Sequence, residues 1–224
     1  LEAAMAADPT SAFGSIVAVN RIFDAAAAEC LLKPGMFVEV VAAPAFTAEA
    51  VEALKTRPAW KASVRLVEVP PGDPWSPTAG LELRSVAGAM LAQRPDETPD
   101  DPAAWQVVTQ EAPVADLTQP LDFAFTMVRR LTSNAIAVCQ GTSLVGAGVG
   151  QTSRVDAVRI ALEKAGDRAR GGVLASDAFF PFPDSIDLIR QAGIAAIIQP
   201  GGSKRDPEVI AAANAAKLPM VFTS

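Results

Sequence analysis

Short β-branched runs alternate along this chain with segments of helical periodicity, and that alternation admits few folds. SIVAV at 15–19, FVEVVA at 37–42 and VRLVEV at 64–69 read as strands, with helices at 24–32 and 47–55 between them. After a gap, the order returns with a helix at 121–131, a strand at 134–138, a turn at Gly141 and Thr142, and a strand at 144–149. This second stretch predicts a hairpin leading into a helix at 155–164, whose start at Ser153 with Asp156 three positions on has the form of a capping box. A strand at 172–175, a helix at 184–191, a strand at 195–198, a helix at 207–216 and a strand at 220–223 complete the pattern. A sheet covered by helices is the arrangement that buries both kinds of element, so the fold class is α/β.

Between 70 and 113 the pattern breaks into proline, tryptophan and acidic residues, including PPGDPWSP and PDETPDDPAAW, with one apolar stretch at 85–91. Such a segment reads either as a linker with an irregular arm or as an ordinary surface connection. The two flanking halves echo each other. VVAAP at 40–44 precedes a helix as IIQP at 197–200 does, and DPTSAF and SDAFFPF each lie upstream of those strands. A duplicated α/β unit would leave this trace, with one subdomain at 1–115, a second at 116–224 and a cleft between them.

Composition removes several functions. The formal net charge of -6 with scattered arginines does not suit nucleic acid, whose phosphates draw on clustered cations. No run approaches the roughly 20 apolar residues a membrane span needs. The opening LEAAMAADP lacks the basic start and apolar block of a signal peptide, so a cytoplasmic location is expected. Cys30 and Cys139 stand far apart, as isolated buried thiols do in a reducing compartment. The chain has no His and no Tyr, which excludes Ser-His-Asp and Cys-His catalysis and every zinc site that needs imidazole. A first residue that is not Met and the abrupt ending MVFTS give both ends a cut appearance.

Four motifs can carry chemistry. SDAFFPFPDSID sets three phenylalanines and carboxylates after a strand, stiffened by Pro181 and Pro183. Phe179 and Phe182 can offer a flat heteroaromatic ring a stacking surface, and Asp184 can accept from its N–H groups; alternatively the rings are core and Asp184 caps a helix. GAGVGQTSR at 146–154 runs into a helix N-terminus where N–H groups and Arg154 can hold an anion, or else is a tight strand crossing with Arg154 on the surface. IIQPGGSKRD can form an anion nest beside Lys204 and Arg205, or a plain turn. In DPTSAFGS, Asp8 and Ser11 can satisfy local backbone groups while Phe13 and Gly14 line a pocket.

Taken in order, DPTSAFGSIVAVNR, FVEVVAAPAF, LELRSVAGAMLAQ, SNAIAV, GAGVGQTSRVDAVRIA, GGVLASDAFFPFPDSID, AGIAAIIQPGGSKRDPEVIAAA and PMVFT resemble the transformylase domain of the AICAR transformylase/IMP cyclohydrolase family almost end to end. The resemblance implies two cytidine-deaminase-like α/β/α subdomains without catalytic zinc. It also implies formyl transfer from 10-formyltetrahydrofolate, as co-substrate, to AICAR in purine (IMP) biosynthesis, by a homodimer. Carried over by position, Asn134 would orient the reacting amine and formyl groups, and Ser153 and Arg154 would contact nucleotide or folate. Phe13, Gly14 and Glu39 would line the nucleotide site, and Phe179, Phe182 and Asp184 the folate side. Asp177 matches a residue near the family's buried potassium ion, while Leu131 and Ala135 replace polar residues found there in some members.

The family's Lys-His proton shuttle lies in a KHVNPAG-like loop upstream of DPTSAFG, and its phosphate-binding arginine in an RHFRH-like tail; neither motif occurs here. Attack by a weak amine on a formyl amide needs a base and an oxyanion stabiliser, so negligible turnover is expected of this chain alone. Three readings follow: a part of a working transformylase, a silent nucleotide- or folate-binding module, or a domain retained for assembly.

Overall fold

A computed structural model describes residues 1–69, 81–95 and 100–223, and the expected irregular arm falls partly, at 70–80 and 96–99, outside the described residues. The chain divides into two compact units, one made of 1–5 and 9–99, the other of 6–8 and 100–224. A short helix unforeseen from sequence, α1 (Glu2–Ala7), opens the chain.

In the first unit, β1 (Ser15–Ala18), β2 (Val38–Ala43) and β3 (Arg65–Glu68) form a parallel sheet in that order. The connections are α2 (Ala25–Leu31) and α3 (Ala48–Thr56). Each helix starts at a side-chain cap: Asp24 accepts from the Ala27 amide at 2.8 Å, and Thr47 from the Ala50 amide at 3.3 Å. Val17, Phe23, Leu31, Val41 and Leu54 make the core.

The apolar stretch at 85–91 is not irregular. It forms a hairpin of β4 (Glu82–Val86) and β5 (Ala89–Gln93), joined by Ala87 and Gly88, both at positive φ. That backbone twist suits a two-residue loop, a turn signal that Ala-Gly carries more weakly than Asn-Gly.

The second unit is a six-stranded mixed sheet in three layers. Its elements are β6 (Gln106–Val107), α4 (Thr118–Val128), β7 (Ile136–Gln140), β8 (Ser143–Gly148), α5 (Arg154–Ala165), β9 (Val173–Ser176), α6 (Asp184–Gln191), β10 (Ala196–Gln199), α7 (Asp206–Ala215) and β11 (Met220–Phe222). Strand order is β6-β11-β10-β9-β7-β8, with β9, β10 and β11 parallel and the other pairings antiparallel. Residues alternate between two cores. Ile136, Val138, Leu174, Ile197 and Met220 pack with α5, α6 and α7, while Ala137, Cys139, Ala175, Ile198 and Val221 pack with α4. Both faces of the central strands are therefore dry, which explains their unbroken apolar runs.

Residues 100–115, grouped with the first half from sequence, pack with the second unit, where β6 pairs with β11. Helix α4 begins before Pro120 rather than after it, because a proline in the first turn lacks only an N–H that has no helical partner. The echo of VVAAP and IIQP falls on β2 and β10, each the middle of three parallel strands. DPTSAF and SDAFFPF both lie upstream of these strands, but they are not equivalent in the two units: SDAFFPF runs on from the end of β9, whereas DPTSAF precedes β1. Among the described residues no helix is long and apolar enough to cross a membrane.

Candidate active site

The glycine-rich strand β8 owes its composition to packing. A Cβ on Gly146 would stand 2.1 Å from the Ala161 carbonyl oxygen, and one on Gly148 2.0 Å from that of Ala157. These glycines let α5 cross the strand in close contact, as the tight-crossing alternative had it, but the same alternative placed Arg154 on the surface and there it fails. Arg154 is buried at 6% exposure.

Arg154 opens α5 and turns inward. Its Nη1 donates to the Ala135 carbonyl at 3.0 Å and to Oδ1 of Asp177. The same Oδ1 accepts the Ala135 amide at 2.7 Å, while Arg154 Nε is buried without a partner among the described residues. Burial pushes the Asp177 carboxyl up, but hydrogen bonds from Ser133, Arg154 and the Ala135 amide, with the guanidinium charge, outweigh it and hold the group below the usual carboxylate range. A guanidinium and an N–H facing one oxygen do not fit a potassium ion, which needs converging oxygen donors. Among the described residues no cluster of His, Cys, Asp or Glu has a metal-holding arrangement.

Ser153 is the N-cap of α5. Its Oγ accepts the Asp156 amide at 3.2 Å, as expected from the sequence, and donates to Asp156 Oδ2 at 2.6 Å, so the return bond comes from the hydroxyl. Asn134 lies just before β7 rather than within it, after a cis Ser133–Asn134 peptide. Its backbone exchanges hydrogen bonds with Gln151, and its Nδ2 donates to the Gln151 carbonyl at 2.8 Å.

The three phenylalanines of SDAFFPF divide. Phe180 is fully buried, its amide donating to Gln199 Oε1 at 2.8 Å, whereas Phe179 is 40% and Phe182 48% exposed. Anchoring Phe180 in the core turns its neighbours outward, with Pro181 and Pro183 fixing the backbone between them. Asp184 is the first residue of α6, but Pro183 holds the cap position, so the carboxylate is exposed rather than spent as an N-cap.

These groups meet in one cavity of about 510 Å³. Asn134, Ser153, Arg154, Phe179, Phe182 and Asp184 line it together with Ser133, Thr152, Val155, Ala178 and Pro181. The latter five were not singled out as site residues in the sequence, although each lies inside a motif quoted there and Pro181 was named as stiffening its loop. The lining comes wholly from the second unit. Phe13, Gly14 and Glu39 cluster in the first. Phe13 is 67% exposed and packs against Phe37 at 5.3 Å between centroids. Gly14, at φ 77°, donates its amide to the Phe37 carbonyl, and a Cβ there would lie 3.8 Å from Glu39 Oε1.

IIQPGGSKRD is a self-satisfied turn rather than an open anion nest. The amides of Gly202 and Ser203 donate to Asp206 Oδ2 at 2.8 and 3.1 Å.

A family model described as the AICARFT/IMPCHase bienzyme matches residues 1–164. The chain belongs to this family. It is 49% identical over 223 residues, all of its length, to the bifunctional purine biosynthesis protein PurH of Rhodopirellula baltica, and covers 42% of that protein. The PurH proteins of Desulfitobacterium hafniense and Streptococcus thermophilus are 45% and 46% identical over 228 and 217 residues, with 42% and 41% of their lengths covered. The chain thus spans about two fifths of these AICARFT/IMPCHase relatives. One solved structure, Acinetobacter baumannii RibD, matches 49% of the chain and 36% of its own at 14% identity with a TM-score of 0.38.

Proposed function

We propose that this chain is part of a formyltransferase that moves a formyl group from 10-formyltetrahydrofolate to the amino group of AICAR in purine biosynthesis, and that the cavity of the second unit takes the folate. One observation carries the reading: six residues scattered over 51 positions of sequence, from Asn134 to Asp184, line a single cavity. Its volume suits a ligand of folate size. Phe179 and Phe182 supply apolar walls for the pteridine, and Asp184 accepts hydrogen bonds from its amino and ring N–H groups.

Asn134 lines the cavity with its Nδ2 held by the Gln151 carbonyl, which leaves its amide oxygen to accept an N–H of the attacking amine and set its approach to the formyl carbon. Arg154, fixed by its ion pair with Asp177, forms part of the wall. Phe13, Gly14 and Glu39 form the nucleotide-side surface in this reading. The two units are the two cytidine-deaminase-like subdomains, and the protein is a cytoplasmic homodimer.

A silent folate-binding module is the second reading, favoured by the lack of His, the commonest general acid and base, in this chain. Calorimetry with folic acid tests the site. Binding weakened about tenfold by Asp184→Ala is the expected result, from the loss of a charged hydrogen-bond acceptor. No binding to the unsubstituted chain overturns the folate assignment, and formyl transfer by the unsubstituted chain would dismiss the silent-module reading.

A further inference from the structure

Phe182 is half exposed, and the prolines that fix its backbone leave its side-chain torsions free. Its support comes from another element. The turn before α7 is tied by Asp206, and Arg205, at the end of that turn, donates its backbone N–H to Ser203 Oγ at 3.1 Å. The Arg205 guanidinium is gripped by Glu208 in a fork: Nε lies 3.0 and 3.1 Å from the two carboxylate oxygens, and Nη2 2.5 Å from Oε2. Held there, its Cζ lies over the Phe182 ring, 4.7 Å from the centroid. Phe182 lines the cavity and Arg205 does not.

We propose that Arg205 is a positioning residue of the pocket: gripped by Glu208, it covers one face of Phe182 and sets the ring as a fixed wall against which a flat aromatic ligand stacks. This rests on the reading of the cavity as a folate site. The geometry needs a guanidinium. A planar fork can pair with a carboxylate through its edge and lie on a ring through its face, which an ammonium cannot do in one pose. Glu208 therefore acts at second hand, by choosing the pose of Arg205.

The test combines affinity with a view of the ring itself. Chains labelled with 4-fluorophenylalanine report Phe182 by fluorine NMR, assigned through Phe182→Leu, and calorimetry reads folic acid binding. Arg205→Ala is expected to shift and narrow the Phe182 resonance and to weaken folic acid about threefold. Arg205→Lys should fall between, and Arg205→Ala should change nothing further in a Phe182→Leu background. Since the Arg205 side chain is 45% exposed, these variants fold, and an unchanged urea midpoint checks it. Intact folic acid binding that ignores Arg205→Ala, or weakens equally without Phe182, overturns the positioning role alone. Absence of binding to the unsubstituted chain overturns the folate reading and this role with it.

Discussion

Arg154 and Asp177 form an ion pair with side-chain exposures of 5% and 14%, joining the first residue of α5 to the loop that follows β9. The pair fixes two walls of the cavity relative to each other, because Ser153 and Ala178 flank its members in sequence and both line the pocket. Removing one partner leaves a buried charge alone. Arg154→Met or Asp177→Asn is expected to lower stability by about 3 kcal/mol, and the double variant by less than the sum. Urea midpoints measure this; additive losses would show that the two groups do not act as a pair.

The same pair sets an acid limit. The Asp177 carboxyl sits below its ordinary value of 3.8 in the folded chain, so on acidification the unfolded carboxylate takes up its proton first. Its contribution is complete above about pH 5 and is lost as pH falls past 3.8 and through the folded value. The stability difference between the wild-type chain and Asp177→Asn should accordingly be full at pH 7 and shrink below pH 4. A difference that stays constant down to pH 2.5 would contradict the pairing.

Two neighbouring glycines should respond differently to a methyl group. At Gly148 a Cβ would meet backbone 2.0 Å away, so Gly148→Ala must push α5 off β8, at about 3 kcal/mol. At Gly150, with φ 65° and nothing within 4 Å, Gly150→Ala meets only the left-handed backbone penalty of about 1 kcal/mol. Thermal unfolding of the two variants gives the comparison, and equal losses would deny the close crossing.

The two cysteines should be separable by a thiol reagent. Cys139 is fully buried, and burial pushes its thiol up to about 12, whereas Cys30 is half-buried on α2. One thiol is expected to react in the native chain at pH 8 and the second only in denaturant. Two fast thiols without denaturant would place Cys139 nearer the surface.

Local order in this protein is written locally. The alternation of strand and helix, the caps at Asp24, Thr47 and Ser153, and the repeat of β2 and β10 follow from residues within a few positions of one another. The family motifs also mark six cavity residues, because each motif is contiguous. Tertiary packing decided the rest. Nothing in FFPF distinguishes Phe180 from Phe179 and Phe182; burial of the middle ring depends on Gln199, one strand away. Nothing in QTSR shows that Arg154 faces Asp177 rather than solvent, or that Gly146 and Gly148 serve a helix crossing rather than an anion. Each of these outcomes depends on distances between elements far apart in the chain, and only the folded sheet sets those distances.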